Sequence, residues 1–331
     1  MTTRQLAGLL VLITILCWAL LAVLYFTRGP GMGAELTSLH PVEVSQSPQF
    51  LYSLHGGRDA RLREPMAVTV DQAGNLYIAD TGNDSVKVFR RDGKLLFSFG
   101  KSGSAAGEID YPYGIAVTPE GNILVSEPPN GRITEFDSRG RFRRILVGRT
   151  NDMGLIRPGP LAITPQGEIV VADLWGHQVL VLNADGELLR RIGSPGNGTG
   201  QLKYPQGVAV DGEGRIWVAD GGNNRVQVFD AEGRFLFKVE GPSEGSFALV
   251  RGLAVDALGR VLVADAIAGR IWVLDDRGQG LFSFGDPGQG EGQMIHPIGL
   301  FIDRSGRIYV ADRGRDEVQV WGYPESDAGS Q

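Results

Sequence analysis

The stretch "PQGVAVDGEGRIWVADGGNNRVQVFDAEGRFL", residues 205–236, contains a whole folding unit. An apolar run follows a proline and reverses at "DGEGR"; a second run ends in Ala-Asp. The polar segment "GGNN" separates it from a third run, and a second reversal, "AEGR", opens a fourth. Short β-branched and aromatic runs bounded by Gly, Asp and Asn predict strands, here four of them in sequence. Each reversal carries glycine because so tight a turn demands a positive φ, which only glycine adopts at little cost.

Outward from this unit the same phrase recurs. "NLYIAD" ends at Asp80, "NILVSE" at Glu127, "EIVVAD" at Asp173, "RIWVAD" at Asp220, "RVLVAD" at Asp265 and "RIYVAD" at Asp312, at intervals of 47, 46, 47, 45 and 47. A period in the forties built from short strands marks a β-propeller with one four-stranded blade per repeat. The sixth unit breaks off after "VQVWG" at 318–322, with no fourth strand. "FLYSLHG" at 50–56 reads as a fourth strand with no unit before it. The sequence therefore predicts an all-β, six-bladed propeller over 49–322, its last blade completed by the segment that precedes the first.

The phrase "P-x-G-[IV]-A-V-D" followed by "G-x-[IL]-[YW]-V-A-D-x-x-x-[NG]-R-[VI]-x-V-[FL]-D" resembles the NHL repeat family, most closely in blade four. The resemblance implies the propeller. It leaves function open, since such propellers serve in protein binding, RNA binding, sensing and catalysis, and a shared fold does not transfer an activity.

Composition bounds the partners. The chain has 331 residues, 48 glycines, 17 prolines and a net charge of −6, so a nucleic-acid partner is not expected. Cys17 is the single cysteine, which excludes an internal disulfide. Residues 6–26, "LAGLLVLITILCWALLAVLYF", carry no charge and at about 1.5 Å per residue would cross a hydrocarbon core about 30 Å thick. We read residues 1–28 as an uncleaved signal-anchor, because the apolar run exceeds that of a cleaved leader. Arg4 without an accompanying acid places the N-terminus in the cytoplasm and the propeller outside. Residues 29–48, rich in Gly, Pro and Ser, read as a tether, and 323–331 as a polar tail.

Repetition separates scaffold from site, because a residue present in every blade serves the blade. The carboxylates ending the second strands (Asp80, Asp173, Asp220, Asp265, Asp312, with Glu127 substituting) are expected to accept hydrogen bonds from the backbone of the following loop, and Arg132, Arg225 and Arg270 to pair with acids locally. Five arginines in "RGRFRRILVGR", 139–149, read as a charged, solvated edge strand. Differences between blades point to one face. "LWGH" places Trp175 and His177 where other blades have "TGN" or "GGN", and Tyr113, Arg157, Tyr204, Gln206, Arg251 and His296 cluster about the prolines that open the first strands. Together these eight make a candidate binding face at the channel mouth for a protein or a small polar ligand, the plainer reading being a hydrated rim.

The competing class is a propeller enzyme, a lyase or lactone hydrolase with a metal in the central channel. "VADLWGHQVLVL" resembles a ligand segment of peptidyl-amidoglycolate lyases, with His177 in the matching place, but "GQLKYP" lacks the second histidine. Val250 and Arg251 stand where the third would be, and Gly222 lies near the position of the catalytic tyrosine. One ligand does not hold a catalytic zinc, which takes three from the protein. The Glu, Asn and Asp set that holds the cation in gluconolactonase-like propellers is not recognisable either. We therefore expect a non-catalytic scaffold with no cofactor.

Overall fold

The computed structural model describes residues 47–57, 61–150, 152–242 and 245–324. Within them the strands form six four-stranded antiparallel sheets. Blade four sets the pattern, with strands Pro205–Val210, Ile216–Asp220, Arg225–Phe229 and Phe235–Val239 pairing in order. Its second and third strands are buried throughout, while the fourth alternates, as an outer strand with one wet face should. First strands of neighbouring blades touch one another all the way round the axis.

The core is six apolar layers, one at each seam between blades. Trp217, Ala219, Val226 and Val228 of blade four, for example, pack against Val250, Leu253, Val261 and Val263 of blade five. The first strands approach so closely that a methyl group at Gly207 would strike the Arg251 carbonyl oxygen, and one at Gly252 that of Ile298. This is why "P-x-G" recurs. The buried aromatic of the second strand is satisfied by its own turn: Trp217 Nε1 donates to Asp211 Oδ2 at 2.8 Å, and the Tyr309 hydroxyl to Asp303 at 3.0 Å.

Blade six draws its outer strand from the other end of the chain. Gln49–Leu54 runs antiparallel to Glu317–Gly322, pairing Phe50 with Trp321 and Leu54 with Val318. A β-bulge between Phe50 and Tyr52 turns Phe50 to the face opposite Tyr52 and Leu54, so the strand fills both adjoining seams. Leu54 and Tyr52 join the layer shared with blade one, and Phe50 meets the Trp321 ring edge-on at 5.7 Å in the layer shared with blade five. The Tyr52 hydroxyl donates to the Arg91 carbonyl of blade one at 2.7 Å.

Residues 1–46, with the expected anchor and nearly all of the expected tether, lie outside the described residues, as do 325–331. Among the described residues no helix is long and apolar enough to cross a membrane.

Removing residues 49–56 strips apolar cover from two seams, so we expect the melting temperature to fall by about 10 °C or more. An unchanged calorimetric melt would refute closure by this strand.

Candidate functional site

The strand-end carboxylates reach mainly backward, to the segment leading into their own blade's first strand. Asp173 accepts from the amides of Ile156 and Arg157, Asp265 from Ala248 and Leu249, and Asp312 from Ile295 and His296, at 2.9–3.1 Å. The expected bond from the following loop is also present in these three blades, from Gly176, Ala268 and Gly314. It is the smaller part of the arrangement.

Blades one, two and four differ. Asp80, Glu127 and Asp220 each take one lead-in amide (Arg63, Asp110, Lys203) and an asparagine three residues on (Asn83, Asn130, Asn223). Each also takes a cation: Lys87 on Asp80, Arg132 on Glu127 at 2.9 Å and Arg225 on Asp220 at 2.8 Å. Arg270 departs from the expected local pairing and reaches Asp286 instead. Within the 139–149 run, Arg141 pairs with Asp137 and Arg144 with Glu135 and Asp185, in keeping with a charged edge.

In those same three blades the residue before the proline has a positive φ: Glu64 at 49°, Tyr111 at 51° and Tyr204 at 48°. This backbone flip turns its amide away from its own blade and toward the preceding one. Glu64 donates to Asp316 at 2.8 Å, Tyr111 to Asp84 at 2.9 Å and Tyr204 to His177 Nδ1 at 3.0 Å. The three acceptors occupy the same place, four residues past the strand-end carboxylate, and all have positive φ. His177 is thus the imidazole version of a latch between blades that aspartate makes elsewhere. Its ring packs edge-on to Tyr204, centroids 4.5 Å apart. The sequence reading offered it as a free binding group; the structure gives its Nδ1 to the scaffold.

Four of the other candidates meet at the channel mouth. The Tyr113 hydroxyl donates to Gln206 Oε1 at 2.5 Å, joining blades two and four across the axis. Tyr113 packs with Met66, Leu174 and Ile298 in a buried apolar plug. Burial pushes its phenol up to about 12, so it stays a proton donor, and the Arg251 guanidinium lies against it. Burial first, then the charges of Arg251 and Arg313, hold the His296 imidazole below its usual range. Arg313, not foreseen from the sequence, grips Glu64 through two nitrogens at 2.7 and 3.2 Å. Arg157 and Trp175 form a separate pair: the guanidinium carbon sits 4.3 Å from the indole centroid, and Nη1 donates to the Pro128 carbonyl at 2.9 Å.

This mouth face also collects exposed apolar side chains. Trp175 is 58% exposed, and Ile156, Tyr204, Ile267 and Ile295 are exposed beside lead-ins or in loops of the same face. On the opposite face, the turns between first and second strands and between third and fourth contribute Leu258 alone among the described large apolar residues.

Below the plug runs a cavity of ≈ 330 Å³ lined by the first strands at 66–69, 113–117, 160–163, 206–210, 252–255 and 298–302. Its side chains are apolar apart from Thr69, Tyr113 and Gln206, so it offers a divalent cation neither carboxylate nor imidazole. Among the described residues no three His, Cys, Asp or Glu side chains are grouped to hold a metal. These residues do not fit the metal of the enzymatic alternative.

Comparison with known proteins agrees with this architecture. The NHL repeat profile matches residues 202–229, the lead-in and first three strands of blade four. The chain is 28% identical over 140 residues to the Drosophila melanogaster protein brain tumor, covering 42% of this chain and 13% of that one. It is 25% identical over 166 residues to the E3 ubiquitin-protein ligase NHLRC1 of Rattus norvegicus, covering 50% of this chain and 41% of the ligase. It therefore spans less than half the length of either relative. Among solved structures, a gluconolactonase from Xanthomonas campestris superposes with a TM-score of 0.64 at 20% identity, covering 84% of this chain and 95% of that chain. A virginiamycin B lyase from Staphylococcus aureus does so at 0.58 and 14%, covering 86% and 90%. At such identities the likeness establishes the fold alone. The chain is a six-bladed β-propeller carrying the NHL repeat.

Two measurements check the site. His177→Ala leaves the exposed Tyr204 amide without its protein acceptor and should cost about 0.5–1.5 kcal/mol in denaturant unfolding, whereas His177→Asp restores the latch and most of the stability. Equal losses would show that the hydrogen bond is immaterial. For His296, whose folded form resists protonation, the unfolded chain binds more protons as pH drops below 6.5. Its contribution to stability is therefore present above that pH and lost on acidification. His296→Gln should flatten the wild-type slope of unfolding free energy between roughly pH 5 and 7; identical slopes would contradict this.

Proposed function

We propose that this chain is a non-catalytic recognition module that binds a partner protein, or a small polar ligand, through the mouth face. The observation that carries the reading is the pairing of an exposed indole, Trp175, with Arg157 on the face that also bears Ile156, Tyr204, Ile267 and Ile295. Aromatic and arginine anchors among exposed apolar groups are the usual make-up of the energetic centre of a protein interface. The scaffold supports it as well: the His177 latch ties the Trp175 loop to the Tyr204 lead-in, and Asp173 and Asp312 hold the lead-ins that carry Ile156, Arg157 and Ile295. The likeness to a ubiquitin-protein ligase, whose work is on proteins, points the same way.

In this reading residues 6–26 hold the propeller to a membrane on its extracytoplasmic side, and residues 29–48 set its reach. The uncharged run of 21 residues and the position of Arg4 support that arrangement. Tethering raises the effective concentration of the propeller toward partners in the same membrane.

Crosslinking in native membranes tests the proposal. Trp175→Ala should reduce capture of the partner by about 10- to 30-fold in apparent affinity while leaving the melting temperature unchanged. Capture undiminished by that substitution would overturn the mouth face as the binding surface. A reporter fused after Gln331 should be active only outside the cytoplasm; activity inside would reverse the orientation.

A further inference from the structure

We propose that Arg251 receives a carboxylate side chain from an acidic peptide segment of the partner, with apolar residues flanking that acid seated on the rim of the mouth face. The inference rests on the reading of the mouth face as a binding surface and adds the chemistry of what binds.

Arg251 stands apart from the other cations of the blade interiors. Arg132, Arg225 and Arg315 each grip a carboxylate, whereas among the described residues Arg251 has none within ion-pair distance. Its Nε is buried without a hydrogen-bond partner, so the protein leaves this guanidinium incompletely satisfied. The carboxylates nearby are already committed. Glu64 Oε2 is held by Nε and Nη2 of Arg313, and Asp312 accepts from the amides of Ile295, His296 and Gly314. Arg157 adds a second cation to the same face, paired with a carbonyl and an indole rather than an acid. Two guanidinium groups of the mouth, those of Arg251 and Arg157, thus make no ion pair with a carboxylate among the described residues. A guanidinium fork, with the Tyr113 hydroxyl beside it, matches the two oxygens of a carboxylate.

The floor and rim narrow the class of ligand. Directly below, the Tyr113–Gln206 bond and the plug of Met66, Leu174 and Ile298 close the channel, so an anion is stopped at the mouth. Around it, exposed Trp175, Tyr204, Ile267 and Ile295 would give a free small anion nothing to bury against. A peptide carrying apolar residues on either side of one acid uses both features.

Fluorescence anisotropy on the full chain in detergent tests this with three probes: a labelled peptide Ile-Glu-Ile capped at both ends, its Ile-Gln-Ile counterpart, and a labelled oligouridylate. The acidic peptide should bind at least about tenfold more tightly than the amide peptide, one carboxylate–guanidinium pair supplying the difference. Arg251→Met should abolish that preference, and Arg251→Lys should restore part of it. Because the comparison of the two peptides needs no variant, misfolding of Arg251→Met would not rescue the idea. Equal binding of the two peptides by the wild-type chain would overturn it. So would displacement of the acidic peptide by succinate at equal concentration, which would make the ligand a free small carboxylate. Binding of the oligouridylate in place of the peptide would overturn it too. Should Trp175→Ala lose the native partner while Arg251→Met retains it, the binding face would stand and the carboxylate assignment alone would fall.

Discussion

A blade of this propeller has two apolar faces and cannot cover either by itself. Each of the six seams is an apolar layer contributed jointly by two neighbours, with residues such as Val218, Val228 and Val263 fully buried. An open row of blades would leave two such faces in water, so the arrangement is stable only as a ring. Closure therefore governs the rest of the structure. The chain achieves it with six residues, Gln49–Leu54, whose side chains, divided between the two faces by a β-bulge, serve the seams on both sides of blade six.

With the ring fixed, the lead-in segments carry the variation. The buried carboxylate at the end of each second strand pins the segment that precedes its own first strand. Where that carboxylate is shared with a cation and an asparagine, as at Asp80, Glu127 and Asp220, one lead-in amide is released and turned to the neighbouring blade. Where it is not, as at Asp173, Asp265 and Asp312, both amides stay at home. The mouth face is thus built from two kinds of blade, and the side chains on it are held at defined places without belonging to the repeat.

The fold was legible because its signals are local and sixfold. Glycine at each reversal, an acid at each second-strand end and a missing fourth strand matched by a surplus one can all be read along the chain. The site was legible in location but not in role. Tyr113, Gln206, Arg251 and His296 share a position about the first strands, yet the pairing of Arg313 with Glu64 across 249 residues on the same face leaves no trace along the chain. His177 looked like an exception because the latch joins residues of different repeats and depends on the sign of φ, which no hydrophobic pattern records. A signal did exist: Asp84, His177 and Asp316 share one repeat position, which glycine fills at 131 and 269. Two different acceptor chemistries at one place concealed it.

Ring closure is open to direct measurement by amide hydrogen exchange on the full chain, comparing the peptide spanning 49–54 with its counterpart in blade four, 235–239. If the N-terminal segment is the outer strand of the last blade, the two should exchange equally slowly, and 317–322 should be protected together with 49–54. Exchange of 49–54 at the rate of an unstructured chain, with 235–239 still protected, would contradict the account.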